Sequence, residues 1–445
     1  MNRRLVRLAA SVSTAVALLL PAATAQSSTW TAMPAGFPPR STMASAWDPV
    51  SNSLVIFGGY DDSNYKNETW TFDGSTWSLV NTPVAPPARA AASMAFDQTS
   101  QKLVLFGGFN GAYKNDTWLW DGATHSWAQA FPTVSPKAVT GPMLFTDPVT
   151  GRVDQYGGFD GMFYQLKTWR WTGTTWQDLA PTTSPFARSS ACIALDPVAG
   201  KVVMFGGLAS VNPWNTWTWD GSNWTLRSPA TQPPNRYDGR AAFDPVLNSV
   251  LVFGGAEGGV ALNDSWRWTG SNWVQLTTPM KPPAREAHAM AYVPTLGRIV
   301  IAGGESQGAV KHDTWSLVHP QTFVDVGPGL AGGSGVPSLT GEGDLAAGSG
   351  TGFSLHVAGT TPFNTVSLFL GAGVGALPLK GGTFYPSPLL LAVSLPANGS
   401  GVVDLPATIP VGTPTGTSFV LQAWMPDAGA LHGAAATNGL QCIVP

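Results

Sequence analysis

Short apolar runs, each ending in a Gly-Gly pair, recur along the chain at intervals of 48 to 50 residues. The pairs are Gly58-Gly59, Gly107-Gly108, Gly157-Gly158, Gly206-Gly207, Gly254-Gly255 and Gly303-Gly304. Apolar runs this short, bounded by glycine, predict buried β-strands rather than helices. The glycines let the backbone leave each strand in conformations that other residues rarely adopt. The pattern therefore predicts an all-β fold built from six similar units.

Tryptophans keep the same register as the Gly-Gly pairs. A Ser/Thr-Trp marker follows each pair, at Trp70, Trp118, Trp169, Trp217, Trp266 and Trp315, and a second tryptophan follows five of them, at Trp77, Trp127, Trp176, Trp224 and Trp273. A small-residue strand precedes each apolar run, and a tight Asp-Gly or Thr-Gly turn separates most tryptophan pairs. Each unit is thus predicted to contain four antiparallel strands, with most tryptophans packed between units.

This period, with its Gly-Gly pairs and paired aromatics, resembles kelch repeats, in which each repeat forms one blade of a β-propeller. The resemblance implies a six-bladed kelch-type propeller. The last repeat lacks the second tryptophan after Trp315, whereas Ser28-Thr29-Trp30 matches Ser75-Thr76-Trp77. We therefore expect the N-terminal strand to complete the sixth blade and remove an open sheet edge.

The remaining segments predict a secreted two-domain protein. Residues 1–25 combine Arg3, Arg4 and Arg7 with an apolar run and Ala23-Thr24-Ala25, as in a signal peptide. No later apolar run is long enough to predict a membrane span. We expect the propeller over residues 26–320, a Gly-rich linker over 321–340 and a small β-sandwich-like domain over 341–445. The predicted location is secreted, periplasmic or cell-surface.

Composition narrows the chemistry. The net charge is −3 and charged residues make up only 11%, which argues against nucleic-acid binding. The two cysteines, Cys192 and Cys442, fall in different predicted domains and provide neither a disulfide framework nor a thiolate zinc site. We predict no metal and no cofactor, and the redox state of the cysteines and the oligomeric state stay open.

An arginine recurs eighteen residues before the first glycine of five Gly-Gly pairs. The five are Arg40, Arg89, Arg188, Arg236 and Arg285, and the third repeat has Val139 instead. Strand order predicts that these arginines and the loops after Gly-Gly share one face of the ring. They either clamp an anionic ligand there or bond loop carbonyls of their own blades, and their recurrence with the fold favours the second reading.

The loops after Gly-Gly are rich in aromatic residues, which we take as candidate ligand-binding residues. They comprise Tyr60, Tyr65, Phe109, Tyr113, Phe159, Phe163, Tyr164 and Trp214, rimmed by Asp61, Asp62, Asn110, Lys114 and Asp160. Such a set suits a glycan, through stacking and hydroxyl contacts, or an extracellular protein partner. Alternatively, some of the aromatic side chains only cover the blade ends.

Weak catalytic candidates are Asp238, Glu286 and His288, on neighbouring inner strands. The ring is similar to the central domain of galactose oxidase, but that family closes seven blades and needs a thioether-linked Cys and Tyr with two His, which are not recognisable here. We therefore predict a recognition protein. The alternatives are a cofactor-free carbohydrate enzyme, such as a sialic acid mutarotase-like epimerase, and a structural cell-surface protein.

Overall fold

The computed structural model describes residues 28–211, 214–319, 323–327, 330–331, 336–343, 353–360, 364–371, 374–379, 382–386, 389–398, 400–407, 418–428, 430 and 434–443. They divide into two compact units, one formed by Ser28–His319 and the other by the residues that follow. The predicted signal peptide, residues 1–25, lies outside the described residues. Within the described residues, no helix has the length and apolar character needed to cross a membrane.

The described residues of the first unit form 28 strands. In chain order they are β1 (Thr29–Ala32), β2 (Ala44–Asp48), β3 (Ser53–Phe57), β4 (Thr69–Phe72), β5 (Trp77–Val80), β6 (Ser93–Asp97), β7 (Lys102–Phe106), β8 (Thr117–Asp121), β9 (Ser126–Ala130), β10 (Met143–Thr146), β11 (Val153–Tyr156), β12 (Thr168–Trp171), β13 (Trp176–Asp178), β14 (Cys192–Asp196), β15 (Lys201–Phe205), β16 (Thr216–Trp219), β17 (Trp224–Arg227), β18 (Arg240–Asp244), β19 (Ser249–Phe253), β20 (Ala256–Glu257), β21 (Val260–Ala261), β22 (Ser265–Trp268), β23 (Trp273–Leu276), β24 (Ala289–Val293), β25 (Arg298–Ala302), β26 (Glu305–Ser306), β27 (Ala309–Val310) and β28 (Thr314–Val318).

These strands form six antiparallel four-stranded blades arranged as a closed propeller. From the channel outward, the blades are β2-β3-β4-β5, β6-β7-β8-β9, β10-β11-β12-β13, β14-β15-β16-β17, β18-β19-β22-β23 and β24-β25-β28-β1. The inner strand of each blade contacts those of both neighbouring blades, and β2 contacts β24 across the closure. β1 pairs with β28, with Trp30 opposite Leu317. The predicted six-bladed ring and its completion by the N-terminal strand are confirmed.

The local sequence explains why each blade forms. In five blades the second strand is largely apolar, as in Ser53–Phe57, whereas in the third blade it contains the buried Asp154 and Gln155. Neighbouring blades cover both faces of this strand. An Asp closes the turn after the inner strand: Asp48 accepts a hydrogen bond at 3.0 Å from the amide of Val50. Both glycines of each Gly-Gly pair adopt positive φ, and a Cβ on Gly58 would lie 2.5 Å from a backbone oxygen of the next blade.

Two cyclic sets of hydrogen bonds join the blades. Around the channel, the backbone N–H of one residue in each blade donates to the carbonyl of its counterpart in the preceding blade at 2.7–2.9 Å, and all six adopt positive φ: Thr42, Ala91, Gly141, Ser190, Asp238 and Ala287. Farther out, the indole of each outer-strand tryptophan donates to a strand hydroxyl of the preceding blade, as Trp127 does to Thr69 at 2.9 Å. Trp30 completes this outer set by donating to Ser265 at 3.1 Å.

The second unit is β-sandwich-like, as predicted. Its strands are β29 (Phe323–Gly327), β30 (Ser338–Gly343), β31 (Phe353–Ala358), β32 (Thr365–Gly371), β33 (Val374–Leu379), β34 (Gly382–Pro386), β35 (Leu389–Pro396), β36 (Val403–Ala407), β37 (Ser418–Pro426), β38 (Ala434–Ala436) and β39 (Gly439–Ile443). A sheet of order β29-β39-β37-β32-β35 and a sheet of order β30-β31-β36 bury one core, which includes Val366, Leu421, Leu355 and Val357. Our expectation of a plain linker over 321–340 requires correction, because β29 pairs with β39 and β30 begins at Ser338.

Candidate functional site

One face of the propeller collects the segments that the sequence singled out. We call it the upper face. Isolated backbone bridges join the residue after each repeat arginine, or after Val139 in the third blade, to the residue after each Gly-Gly pair. The six bridges are Ser41–Tyr60, Ala90–Phe109, Thr140–Phe159, Ser189–Leu208, Tyr237–Ala256 and Glu286–Glu305. The backbone is thus the same in every blade, whereas the side chains differ.

The five repeat arginines do not project from the upper face. All five are at most 3% exposed. In each case Nη1 donates to the carbonyl of the first glycine eighteen residues later, at 2.9–3.1 Å. Four also pair with a carboxylate of the same blade, and Arg89 binds both oxygens of Asp116, at 2.6 and 2.7 Å. Arg40, Arg89, Arg188, Arg236 and Arg285 therefore stabilise their own blades, and we remove them from the ligand-binding set.

Two blades vary this arrangement. In the fourth blade Asn215 replaces the acid and bonds Arg188 at 3.1 Å, and burial lowers the pKa of Arg188 to about 10. In the third blade Val139 replaces the arginine, and the side-chain amide of Gln155 donates to the carbonyl of Gly157 at 2.6 Å. A different side chain thus donates to the equivalent carbonyl, because a buried backbone carbonyl needs a hydrogen-bond donor.

Six aromatic rings form a chain of contacts across the first three blades, which we call the aromatic arc. The arc comprises Tyr60, Tyr65, Phe109, Tyr113, Phe159 and Tyr164. Successive ring centroids lie 4.9–6.3 Å apart, in tilted or edge-to-face contacts. All six side chains are half-buried. These tilted and edge-to-face contacts pack the six rings against one another, so the arc presents one continuous apolar surface.

A cavity of about 450 Å³ opens beside the arc, and we call it the arc pocket. Its walls include Tyr60, Tyr65, Phe109 and Tyr113, and the carboxylate-bearing residue on its border is Glu305. Sequence reasoning missed Glu305. The signal was available, because Glu305 follows a Gly-Gly pair and occupies the repeat position of Tyr60, where no other blade has an acid.

The polar residues expected to contact a ligand mostly support their own loops. Asp61 accepts the amides of Ser63 and Asn64 and pairs with Lys66. Asp160 accepts two amides of its own turn and a hydrogen bond from Lys137. Asn110 donates to the carbonyl of Ala88 at 2.8 Å. These bonds order the loops that carry the arc and leave fewer polar groups available for sugar hydroxyls.

Carboxylates gather on the part of the mouth formed by the fifth and sixth blades. Burial and the negative charges of Asp238 and Glu305 raise the pKa of Glu286 to about 7. Burial likewise raises the pKa of Asp238, against the lowering effects of Arg240 and a hydrogen bond from Ser190. Among the described residues, neither Glu286 nor Glu305 forms an ion pair with a lysine or arginine. This half of the mouth therefore carries uncompensated negative charge.

The three catalytic candidates are not brought together. His288 is fully buried beside Phe253, with 5.5 Å between ring centroids, and neither of its ring nitrogens has a hydrogen-bond partner. Burial lowers the pKa of His288 well below its usual value. It therefore fills space between blades, as Met43 does at the same repeat position. Asp238 and Glu286 remain at the mouth without the imidazole that acid–base chemistry was expected to use.

A groove lined mainly by apolar side chains continues the arc toward the fourth blade. We call it the apolar groove. This cavity of about 420 Å³ is lined by Tyr164, Phe163, Leu166, Phe186 and Val211, among others. Phe163 is 61% exposed and Phe186 59%. The hydroxyl of Tyr156 donates to the carbonyls of Pro185 and Phe186, at 2.8 and 3.1 Å, and so supports the Phe186 loop. Trp214, in the neighbouring loop, is 48% exposed. No repeat marker in the sequence pointed to Leu166, Phe186 or Val211.

The central channel is a third cavity, of about 470 Å³, lined by the inner strands. Its walls are mostly small or apolar, and Asp238 and Arg240 are the charged residues that border it. Cys192 lies in the innermost strand of its blade but is buried, and burial raises the pKa of its thiol to about 11. In the described part of the chain, no group of three or more His, Cys, Asp or Glu side chains could hold a metal ion.

The fold and the upper face define a six-bladed β-propeller with variable loops gathered at one mouth. A family model described as the KLHDC2/KLHL20/DRC7 Kelch-repeats domain matches residues 19–207, which include the first three blades and two strands of the fourth. The match and the repeated blades support a kelch-repeat protein, and the ring is a propeller of kelch type. No curated protein matches the chain.

Proposed function

We propose that this kelch-type propeller is a recognition module that binds an extracellular protein through its upper face. The observation that carries the proposal is the continuous aromatic and apolar surface formed by the arc and the groove. Tyr164 belongs to both, so the surface extends from the first blade to the fourth. Exposed apolar surface of this kind, beside polar loops, is typical of protein-binding sites.

The contacts on this face favour a protein over a glycan. Asp61, Asn110 and Asp160 are engaged in loop hydrogen bonds, whereas sugar binding needs several free polar groups around each ring. Met162, Phe163 and Leu166 are each more than half exposed and offer the type of side chain that anchors in a partner's pocket. The wide, mainly apolar surface thus suits a polypeptide segment.

A glycan is the second candidate, because the half-exposed rings of the arc could stack on a sugar. The enzymatic alternative loses support from the position of His288, which is buried between blades. Secretion or display at the cell surface is part of the proposal and rests on the N-terminal sequence pattern.

Photocrosslinking on the full chain tests the proposal. A benzophenone amino acid would replace Phe163 or Phe186 on the upper face, or Leu79, which is 56% exposed on an outer strand, as the control. When the labelled chain is irradiated in the source culture, we expect one dominant protein adduct from positions 163 and 186 and none from position 79. Trp214→Ala and Tyr113→Ala should each weaken the affinity of the purified partner by about tenfold or more, as for interface anchors.

The outcomes separate the candidates. An adduct that forms equally at position 79 would overturn the assignment of the upper face. Absence of any protein adduct, together with selective binding on a glycan array that Tyr113→Ala abolishes, would favour the carbohydrate alternative. No ligand in either assay would favour a structural protein.

A further inference from the structure

The arc pocket combines two kinds of group, aromatic rings and a carboxylate. Tyr60, Tyr65, Phe109 and Tyr113 form its aromatic wall, and Glu305 stands at its edge. Ser41 donates a hydrogen bond at 3.2 Å to the Glu305 carboxylate, which fixes that carboxylate beside the pocket. Ser41 also lines the pocket, so the carboxylate and the aromatic wall face the same space.

The charge at this edge is not compensated within the described residues. Glu305 has no lysine or arginine within ion-pair distance, and its bridge partner Glu286 adds a second carboxyl. Mutual repulsion with Asp238 and Glu305, after burial, raises the pKa of Glu286 to about 7. The nearby Lys66 is already paired with Asp61. Among the described residues, no lysine or arginine is paired with Glu305, so this carboxylate can accept a positive charge from a partner.

Aromatic faces and carboxylates attract the same ligand. The negative quadrupole of a ring face favours a cation within about 6 Å of its centroid, and a partly buried carboxylate adds charge and a hydrogen-bond acceptor. The apolar groove continues the arc, so apolar residues that flank such a cation in the partner can pack along the groove. A sugar hydroxyl or a neutral side chain would use the rings but leave the carboxylate without a counter-charge.

We propose that the arc pocket binds the cationic side chain, lysine or arginine, of a partner protein whose neighbouring apolar residues lie in the apolar groove. This inference rests on the proposed function and specifies the chemistry of the partner. The pocket selects for charge, through Glu305, and the groove contributes apolar contact area. Asp238 and Glu286 extend the attraction over the mouth of the channel.

Small probes test the pocket without knowledge of the partner. The full chain would be labelled with 3-fluorotyrosine, and the ¹⁹F signals of Tyr60, Tyr65 and Tyr113 assigned from single Tyr→Phe variants. The probes are n-butylammonium and n-butylguanidinium, with 1-butanol as the neutral analogue. We expect saturable shifts of these three signals with the cations and none with 1-butanol. The comparison of the two cations distinguishes lysine-like from arginine-like recognition.

Glu305→Gln preserves the hydrogen bond from Ser41 and removes the charge, so it should weaken cation binding about fivefold. The matched control is Glu257→Gln, an exposed carboxylate on the equivalent loop of the fifth blade that does not line the pocket. Equal binding of 1-butanol, or an unchanged dissociation constant in Glu305→Gln, would refute the cation assignment. If that refutation came while crosslinks at positions 163 and 186 persisted in Glu305→Gln, protein recognition would stand and this inference would fail.

Discussion

Removing both members of one blade's arginine–carboxylate pair should cost less stability than the two single losses added together. The second blade offers the test. Arg89 is buried with its guanidinium bound to the carbonyls of Pro87 and Gly107 and to both oxygens of Asp116. Burial opposes ionisation of Asp116, but the bonds and charge of Arg89 prevail and lower its pKa.

The magnitudes follow from the burial of each partner. Arg89→Met keeps much of the volume but removes the guanidinium from the carbonyl of Gly107 and from the carboxylate of Asp116, which keeps the hydrogen bond from the Trp118 indole. We expect a loss of about 3–5 kcal/mol in the free energy of unfolding. Asp116→Asn should cost less, about 1–2 kcal/mol, because Asn215 performs the same role for Arg188 in the fourth blade. The loss in the double variant should be about 1.5 kcal/mol smaller than the sum of the two single losses.

The third blade gives the reason for this expectation. It lacks the arginine, having Val139, and it lacks the acid as well, having Lys167 at the position of Asp116. A blade therefore folds without the pair when both members are absent and its glycine carbonyl finds another donor. Removing one member alone instead creates an uncompensated buried charge.

Urea unfolding followed by tryptophan fluorescence provides the assay. All but one of the 19 tryptophans, Trp424, belong to the propeller, so the signal reports on that unit. Losses that simply add in the double variant would refute the coupling, and a small loss in Arg89→Met would show that the guanidinium is not the stabilising group.

Three further predictions concern other parts of the propeller. Trp30→Ala should lower the free energy of unfolding by about 3–5 kcal/mol, since the indole is fully buried beside Phe253 and closes the ring; denaturant unfolding with Leu79→Ala as the exposed control checks this, and equal losses would contradict it. The pKa of Glu286 is raised in the folded state, so its contribution to stability is full below pH 4.5, its ordinary value, and is lost as the pH rises through about 7. Glu286→Gln should therefore raise the melting temperature at pH 8 and change it little at pH 4, with about 1 kcal/mol expected for this half-exposed group; no gain at pH 8 would contradict the shift. Cys192, with its buried thiol and a pKa raised to about 11, should react with a thiol reagent such as DTNB only on unfolding, and rapid labelling of the native protein at this position would oppose that expectation.

Most of the propeller could be predicted because its residues repeat. The Gly-Gly pairs, the small inner strands and the paired tryptophans each impose one backbone conformation, so six copies specify the blades and their order. The prediction that β1 completes the sixth blade depended on one observation, the missing second tryptophan after Trp315. The second unit repeats nothing, and its strands were predicted less completely: β29 and the start of β30 lie where glycines indicated a linker.

The candidate site could be predicted only in part, since its residues depart from the repeat. Aromatic residues in the loops were visible, but their assembly into one arc depends on ring contacts between blades. For the arginines the sequence left two readings open and favoured bonds to loop carbonyls, because a charged residue that repeats with the fold can satisfy a repeated backbone carbonyl. Glu305 was detectable in principle as the one acid at its repeat position, whereas Phe186 and Val211 join the groove only through the packing of adjacent loops.

The bridged positions of the upper face explain how one scaffold could acquire a specific site. At the position after the arginine, the six blades carry Ser41, Ala90, Thr140, Ser189, Tyr237 and Glu286 on the same backbone. Because neighbouring backbone hydrogen bonds hold this ring regardless of side chain, replacement there does not endanger closure. Glu286 nevertheless has a raised pKa, which means that its negative charge destabilises the folded protein at neutral pH. A residue that costs the scaffold stability and is bridged to Glu305 fits the cationic partner proposed above.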